Sequence, residues 1–150
     1  MVTVYFVQHG IAHPKDVDEK RPLSEAGSSE VCKVVAYLKN HEVCIVKIFH
    51  SGKLRARQTA EIFAQQLGVS TICEIGGMNP NDNASQLIEQ IVESNVMYVG
   101  HLPNIQNVVS HLVSKSEDNP VVHFQNSAVV CVELETGVGI IKWFITPTMC

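Results

Sequence analysis

Two hydrophobic periods alternate along the chain. "VTVYFV" (residues 2–7) is an unbroken β-branched and aromatic run, the pattern of a strand buried on both faces. From Ser24 to Asn40, Val31, Val34, Val35 and Leu38 recur at helical spacing, with Ser24 as a candidate N-cap. "CIVKIFHS" (44–51) predicts a second strand. Ala56, Ala60, Phe63 and Leu67 then line one face of a helix over 53–67, ended by Gly68. "STICEI" (70–75) predicts a third strand. Leu87, Ile88, Ile91 and Val92 mark a helix after the turn signal "NPNDN". "NVMYVG" (95–100) predicts a fourth strand, and Pro103 opens a helix carrying Ile105, Val108, Val109 and Leu112. The tail changes character: "SAVVCVELE" and "VGIIKWFIT" flank Thr136-Gly137 as a hairpin.

Strands alternating with helices predict a parallel sheet with helices on both faces. The expected fold class is therefore α/β: a single-domain, three-layer α/β/α sandwich over residues 1–150. Its sheet is mostly parallel, with an antiparallel C-terminal hairpin. No internal repeat, low-complexity tract or linker interrupts it.

Composition narrows the function. The 150 residues are 45% hydrophobic and 17% charged, a globular balance. A net charge of −4 gives no electrostatic reason to expect nucleic acid or an anionic membrane as partner. No apolar run is long enough to span a bilayer, and the N-terminus lacks a signal-peptide pattern, so a cytoplasmic location is expected. The five cysteines, Cys32, Cys44, Cys73, Cys131 and Cys150, form no CxxC pair. They are expected to act as small buried hydrophobes in a reducing compartment.

In an open α/β sheet, ligands bind beyond the carboxyl ends of the strands. Here the first strand is followed by Gln8-His9-Gly10, the second by the run from His50 through Ser51, Gly52 and Lys53 to Arg55, and the fourth by His101 and Pro103. Parallel strands bring these segments to one edge, with glycines to admit a ligand close to the backbone. Two imidazoles, an arginine and a helix N-terminus suit a phosphoryl group. Arginine gives planar, bidentate donors, the helix start adds partial positive charge, and a neutral imidazole can attack phosphorus. Rival phosphate chemistries lack their residues. No cysteine has an arginine six positions later, and "GKL" lacks the glycine and hydroxyl of a P-loop. No cluster has metal-ligand spacing, so a metal-free, cofactor-free mechanism is expected.

"VQHG" resembles the Arg-His-Gly signature of the histidine phosphatase superfamily, the phosphoglycerate mutase-like enzymes. "RPLSEAG" (21–27), "HSGKLRARQTAEIF" (50–63), "MNPNDN" (78–83) and "VGHLPNIQNVVSHL" (99–112) resemble further segments of its SixA-type phosphohistidine phosphatase branch, in that branch's order. The resemblance implies a phosphoglycerate mutase-like fold and a set of roles. His9 would be the phosphoryl-accepting nucleophile, Arg55 the phosphate clamp and His101 the second catalytic histidine. Gln8 and Gly10 would border the phosphate, and Arg21 would lie at the pocket mouth. The substrate implied is a phosphorylated protein bearing phosphohistidine.

Two departures stand out. Gln8 replaces the family's arginine, and Gly52 replaces a proline. Losing one charge-assisted bond at position 8 costs ~1.5–3 kcal/mol, for which Lys53, Arg57 or Arg21 is a candidate compensation. A general acid for the leaving group has two candidates, Glu74 and Asp82. Two other readings stay open: a phosphatase for a small phosphorylated substrate, and a non-catalytic phosphate-binding module. His13, His41, His111 and His123 read as surface or structural, His50 as packing or capping, Arg57 as solvated. Ser51 reads either as a plain turn residue or as one whose hydroxyl fixes Arg55 or the loop.

Overall fold

The computed structural model describes residues 1–150. In chain order its elements are β1 (Val2–Gln8), α1 (Glu25–Asn40), β2 (Lys47–His50), α2 (Leu54–Leu67), β3 (Ile72–Glu74), α3 (Ala84–Ile88), β4 (Val96–Gly100), α4 (Asn104–Ser114), β5 (Val129–Glu135) and β6 (Val138–Ile145). The strands form one sheet in the order β3-β2-β4-β1-β5-β6. The pairs β3–β2, β2–β4 and β4–β1 are parallel, while β5 runs antiparallel to both β1 and β6. The expected α/β sandwich with a C-terminal hairpin is the architecture observed.

Alternation along the strands divides the core in two. Tyr5, Val7, Met97 and Val99 point to a cluster closed by Val31, Val34, Val35 and Leu38 of α1 and Ala60 and Phe63 of α2. Val4, Phe6, Val96 and Tyr98 point the other way, onto Leu87 of α3 and Ile105, Val108, Val109 and Leu112 of α4. β1 and β4 are thus buried on both faces, which explains their unbroken apolar runs. Ser24 caps α1, its Oγ accepting from the Gly27 N–H at 2.9 Å. Gly68 ends α2 in the left-handed conformation. No helix is long and apolar enough to cross a membrane.

Three expectations fail locally. β2 is confined to Lys47–His50, because β4 begins only at Val96, the partner of Lys47. α3 ends at Ile88, where turn bonds from Gln90 N–H to the Leu87 carbonyl and from Ile91 N–H to the Ile88 carbonyl tighten the chain. Ile91 still packs on the core, but Val92 is exposed. Among the cysteines only Cys131 is buried; Cys44 and Cys73 are exposed, one before β2 and the other on the edge strand β3.

Candidate active site

β1 and β4 are parallel neighbours in register, with Gln8 opposite Gly100. The next residue on each strand is a histidine, so adjacency within the sheet sets His9 beside His101. Their ring centroids are 4.9 Å apart. The His9 N–H continues the ladder to the Gly100 carbonyl at 3.1 Å. β2, on the far side of β4, ends at His50 opposite Val99, and so brings Ser51 level with this pair. α2 starts three residues later and carries Arg55 on its first turn.

The His9 ring is oriented by both of its nitrogens. Nδ1 lies 2.7 Å from the Gly10 carbonyl, which only accepts, so Nδ1 carries the proton. Nε2 is then the lone-pair nitrogen, and Arg55 Nε donates to it at 3.3 Å. Burial is the main force holding the His9 pKa down, to about 4, with the Arg55 and Arg21 charges adding to it and the Gly10 bond opposing. At neutral pH His9 is an uncharged imidazole with its lone pair turned to a guanidinium.

His101 is more deeply buried, at 2% exposure. Its pKa falls to about 3, first through burial and then through the neighbouring His9, Arg55, Lys53 and Arg21. Nε2 lies 2.6 Å from Ser51 Oγ, while Nδ1 is buried with no hydrogen-bond partner. Ser51 thus contacts His101 and accepts from the Lys53 N–H at 3.3 Å, without fixing Arg55.

Thr59 joins the His9-Gly10 loop to Arg55. Its Oγ1 accepts from the Gly10 N–H at 3.0 Å and donates to the Arg55 carbonyl at 2.8 Å. Gly10 therefore has a different reason from the one expected. Its N–H is taken by Thr59, and a Cβ there would stand 2.8 Å from Val31 Cγ2 and 3.1 Å from Leu23 Cδ2. Glycine lets the loop lie against α1; it does not open space for a ligand. Gly52 is conformational as well. Its φ of +92° is closed to proline, and Glu74 Oε1 lies 2.3 Å from where a Cβ would be. The Glu74 carboxylate accordingly rests over the Ser51-Gly52 turn, at the edge of the rim.

The remaining candidates separate. Arg21 stands in the left-handed region at φ +49°, and its Nε donates to the His13 carbonyl. Its charge still depresses His9, Arg55 and His101. Arg57 turns to Glu61 on the α2 surface, at 3.4 Å, and so is not placed to compensate for Gln8. Asp82 is engaged in its own turn, with Oδ2 accepting from the Asn79 N–H at 2.9 Å. His50 packs at 6% exposure, its Nδ1 accepting from the Gly52 N–H.

Two residues absent from the expected set complete the rim. Asn126 Nδ2 donates to the His9 carbonyl at 3.0 Å, and the Ser127 N–H donates to the Gln8 carbonyl at 2.9 Å. This turn before β5 clamps the backbone of Gln8 and His9. Only its Asn-Ser composition hinted at a turn. The buried side-chain atoms without a partner are Gln8 Oε1, His101 Nδ1, Asn104 Oδ1 and Ser127 Oγ. All four belong to residues at this one end of the sheet. Such groups cost ~1–3 kcal/mol each, and their concentration marks a rim suited to a polar ligand. No group of three or more His, Cys, Asp or Glu side chains is placed to hold a metal ion.

The family model of the histidine phosphatase superfamily (branch 1) matches residues 4–76. The chain is 28% identical, over 96% of its own length and 93% of the other's, to the phosphohistidine phosphatase SixA of Escherichia coli K12. Its fold superposes on that of the protein histidine phosphatase SixA complexed with tungstate, with a TM-score of 0.85 at 24% identity, covering 99% of each chain. A phosphoserine phosphatase of Entamoeba histolytica shares the fold with a TM-score of 0.74 at 16% identity, covering 98% of each chain. Residues 4–76 thus match the histidine phosphatase superfamily, and along nearly its whole length the chain is similar to a phosphohistidine phosphatase and shares the fold of such enzymes.

Proposed function

We propose that the protein is a phosphatase that removes the phosphoryl group from phosphohistidine on a signalling or phosphotransfer protein, through a phosphohistidine intermediate on His9. One observation carries the reading: the neutral His9 imidazole has its Nε2 lone pair free of protons, faced by Arg55 and flanked by His101. In the first step Nε2 attacks phosphorus. The Nε2–P bond forms, and the P–N bond of the substrate breaks. The leaving imidazole nitrogen takes its proton from solvent. Arg55 and His101 stabilise charge on the phosphoryl oxygens. Water then attacks the phosphoryl group, which leaves as inorganic phosphate and restores neutral His9. Gln8, Gly10 and Arg21 border this chemistry: Gln8 as an uncharged contact, Gly10 by seating the loop, Arg21 through its field.

The likeness to SixA supports a phosphohistidine substrate, and so does the leaving group: an imidazole departs more readily than an alkoxide and needs no strong acid. A second reading, a small phosphoester, is favoured by the carboxylate of Glu74 over the Ser51-Gly52 turn, where it would protonate an alkoxide. The test is turnover of a phosphohistidine protein and of p-nitrophenyl phosphate by wild type and His9→Ala. We expect wild type to prefer phosphohistidine and His9→Ala to be inactive on both. Turnover surviving in His9→Ala overturns the mechanism. Preference for the phosphoester, lost in Glu74→Gln, establishes the second reading. Phosphate binding without turnover by wild type, with activity appearing in Gln8→Arg, would mark a binding module.

A further inference from the structure

Ser51 has no assigned role, yet its hydroxyl makes the shortest side-chain contact in the site, 2.6 Å to His101 Nε2. The proton between them has two possible homes, and each gives the buried, unpartnered Nδ1 of His101 a different character. With the proton on Nε2, the imidazole donates to Ser51 Oγ, and Nδ1 presents a lone pair. With the proton on Ser51, the hydroxyl donates to Nε2, and the ring's single proton sits on Nδ1. A phosphoryl group on His9 is anionic. A lone pair on Nδ1 would repel its oxygens, whereas an N–H would bind them.

The bonding around Ser51 decides between these. Its Oγ already accepts the Lys53 N–H at 3.3 Å, and no other acceptor receives its own proton. If His101 were the donor, the buried hydroxyl of Ser51 would have its proton stranded. If Ser51 donates, its proton and one lone pair are both used, and His101 Nδ1, buried and without a partner, becomes the unpaired donor. We infer that Ser51 is a positioning residue that locks His101 in the Nδ1-protonated tautomer and so makes it a donor to the transferring phosphoryl group. The inference rests on the proposed phosphatase reading for its consequence, but the tautomer is a property of the protein alone.

The two are tested separately. Nitrogen-15 NMR of the side-chain imidazoles, assigned with His101→Gln, reads the tautomer without substrate. Wild type is expected to show a protonated Nδ1 and an unprotonated Nε2 at His101. In Ser51→Ala the Nε2-protonated form gains population, and kcat falls about tenfold with KM changed much less. Ser51→Thr keeps the hydroxyl and restores both. His9 keeps its tautomer throughout, which shows that Ser51→Ala is folded. A wild-type His101 protonated on Nε2, or a tautomer unmoved in Ser51→Ala, overturns the inference. Failure of wild type to turn over any phosphorylated substrate overturns the function proposed above but leaves the NMR result to stand or fall alone.

Discussion

The two histidines at the ends of β1 and β4 are neighbours, both buried and both uncharged at neutral pH, but they are oriented by different means. His9 is set by main chain: its Nδ1 bonds the Gly10 carbonyl, which Thr59 and the packing of Gly10 on α1 hold in place. His101 is set by a side chain, the Ser51 hydroxyl carried on the turn after β2. A main-chain anchor resists substitution, because the carbonyl survives any mutation that keeps the fold. A hydroxyl anchor can be removed by one atom. On the proposed reading, the nucleophile has the sturdier support and the charge-stabilising histidine the more adjustable one.

The comparison breaks most completely at His9. His9→Ala should reduce phosphoryl uptake to background in a quench assay, while circular dichroism stays unchanged. Arg55→Ala removes the only side chain bonded to Nε2. A charge-assisted bond of ~1.5–3 kcal/mol corresponds to a loss of about 10- to 150-fold in kcat/KM, measured by steady-state kinetics.

Acid tests both anchors at once. Both histidines are held below the ordinary value of 6.5, to about 4 at His9 and about 3 at His101, mainly by burial. As pH falls through 6.5 the unfolded chain binds protons that the folded chain refuses, so stability decreases with acidification. The loss runs from the unfolded pKa down to the depressed folded values and amounts to a few kcal/mol at roughly 1.4 kcal/mol per unit. Urea unfolding across this window measures it. Proton NMR should show neither ring titrating near pH 6.5, and a normal midpoint at either would contradict the burial argument.

Thr59→Val leaves the Gly10 N–H without its acceptor and the Arg55 carbonyl without that donor. A loss of ~1–3 kcal/mol in stability is expected by urea denaturation, with a smaller fall in turnover as the His9 anchor loosens. Gln8→Arg should have the mildest effect, a gain of a few-fold in phosphate affinity by calorimetry. An added charge would help there, although the buried Oε1 shows how confined the position is.

Much of this was legible in the sequence, for a definite reason. Unbroken apolar runs identify strands buried on both faces, and ligands gather at their carboxyl ends, so His9, Arg55 and His101 could be grouped before any distance was known. What escaped depends on contacts between distant positions. Asn126 meets His9 across 117 residues, Thr59 meets Gly10 across 49 and Ser51 meets His101 across 50. No periodicity carries such pairings. Gly10 was read as space for a ligand because glycine signals close approach, but it does not say what approaches; here it is α1. The early ends of β2 and α3 were hidden for a similar reason, since they are set by where a neighbouring strand starts and a turn tightens.

The central claim is that His9 Nε2 accepts the phosphoryl group. The most direct test is to mix the protein with a phosphohistidine protein, quench in base within milliseconds and locate the added phosphoryl by mass spectrometry. The account predicts an acid-labile phosphoryl on His9, absent in His9→Ala and accumulating when hydrolysis is slowed. Rapid release of phosphate with no label on His9, or a label on His101, would contradict it.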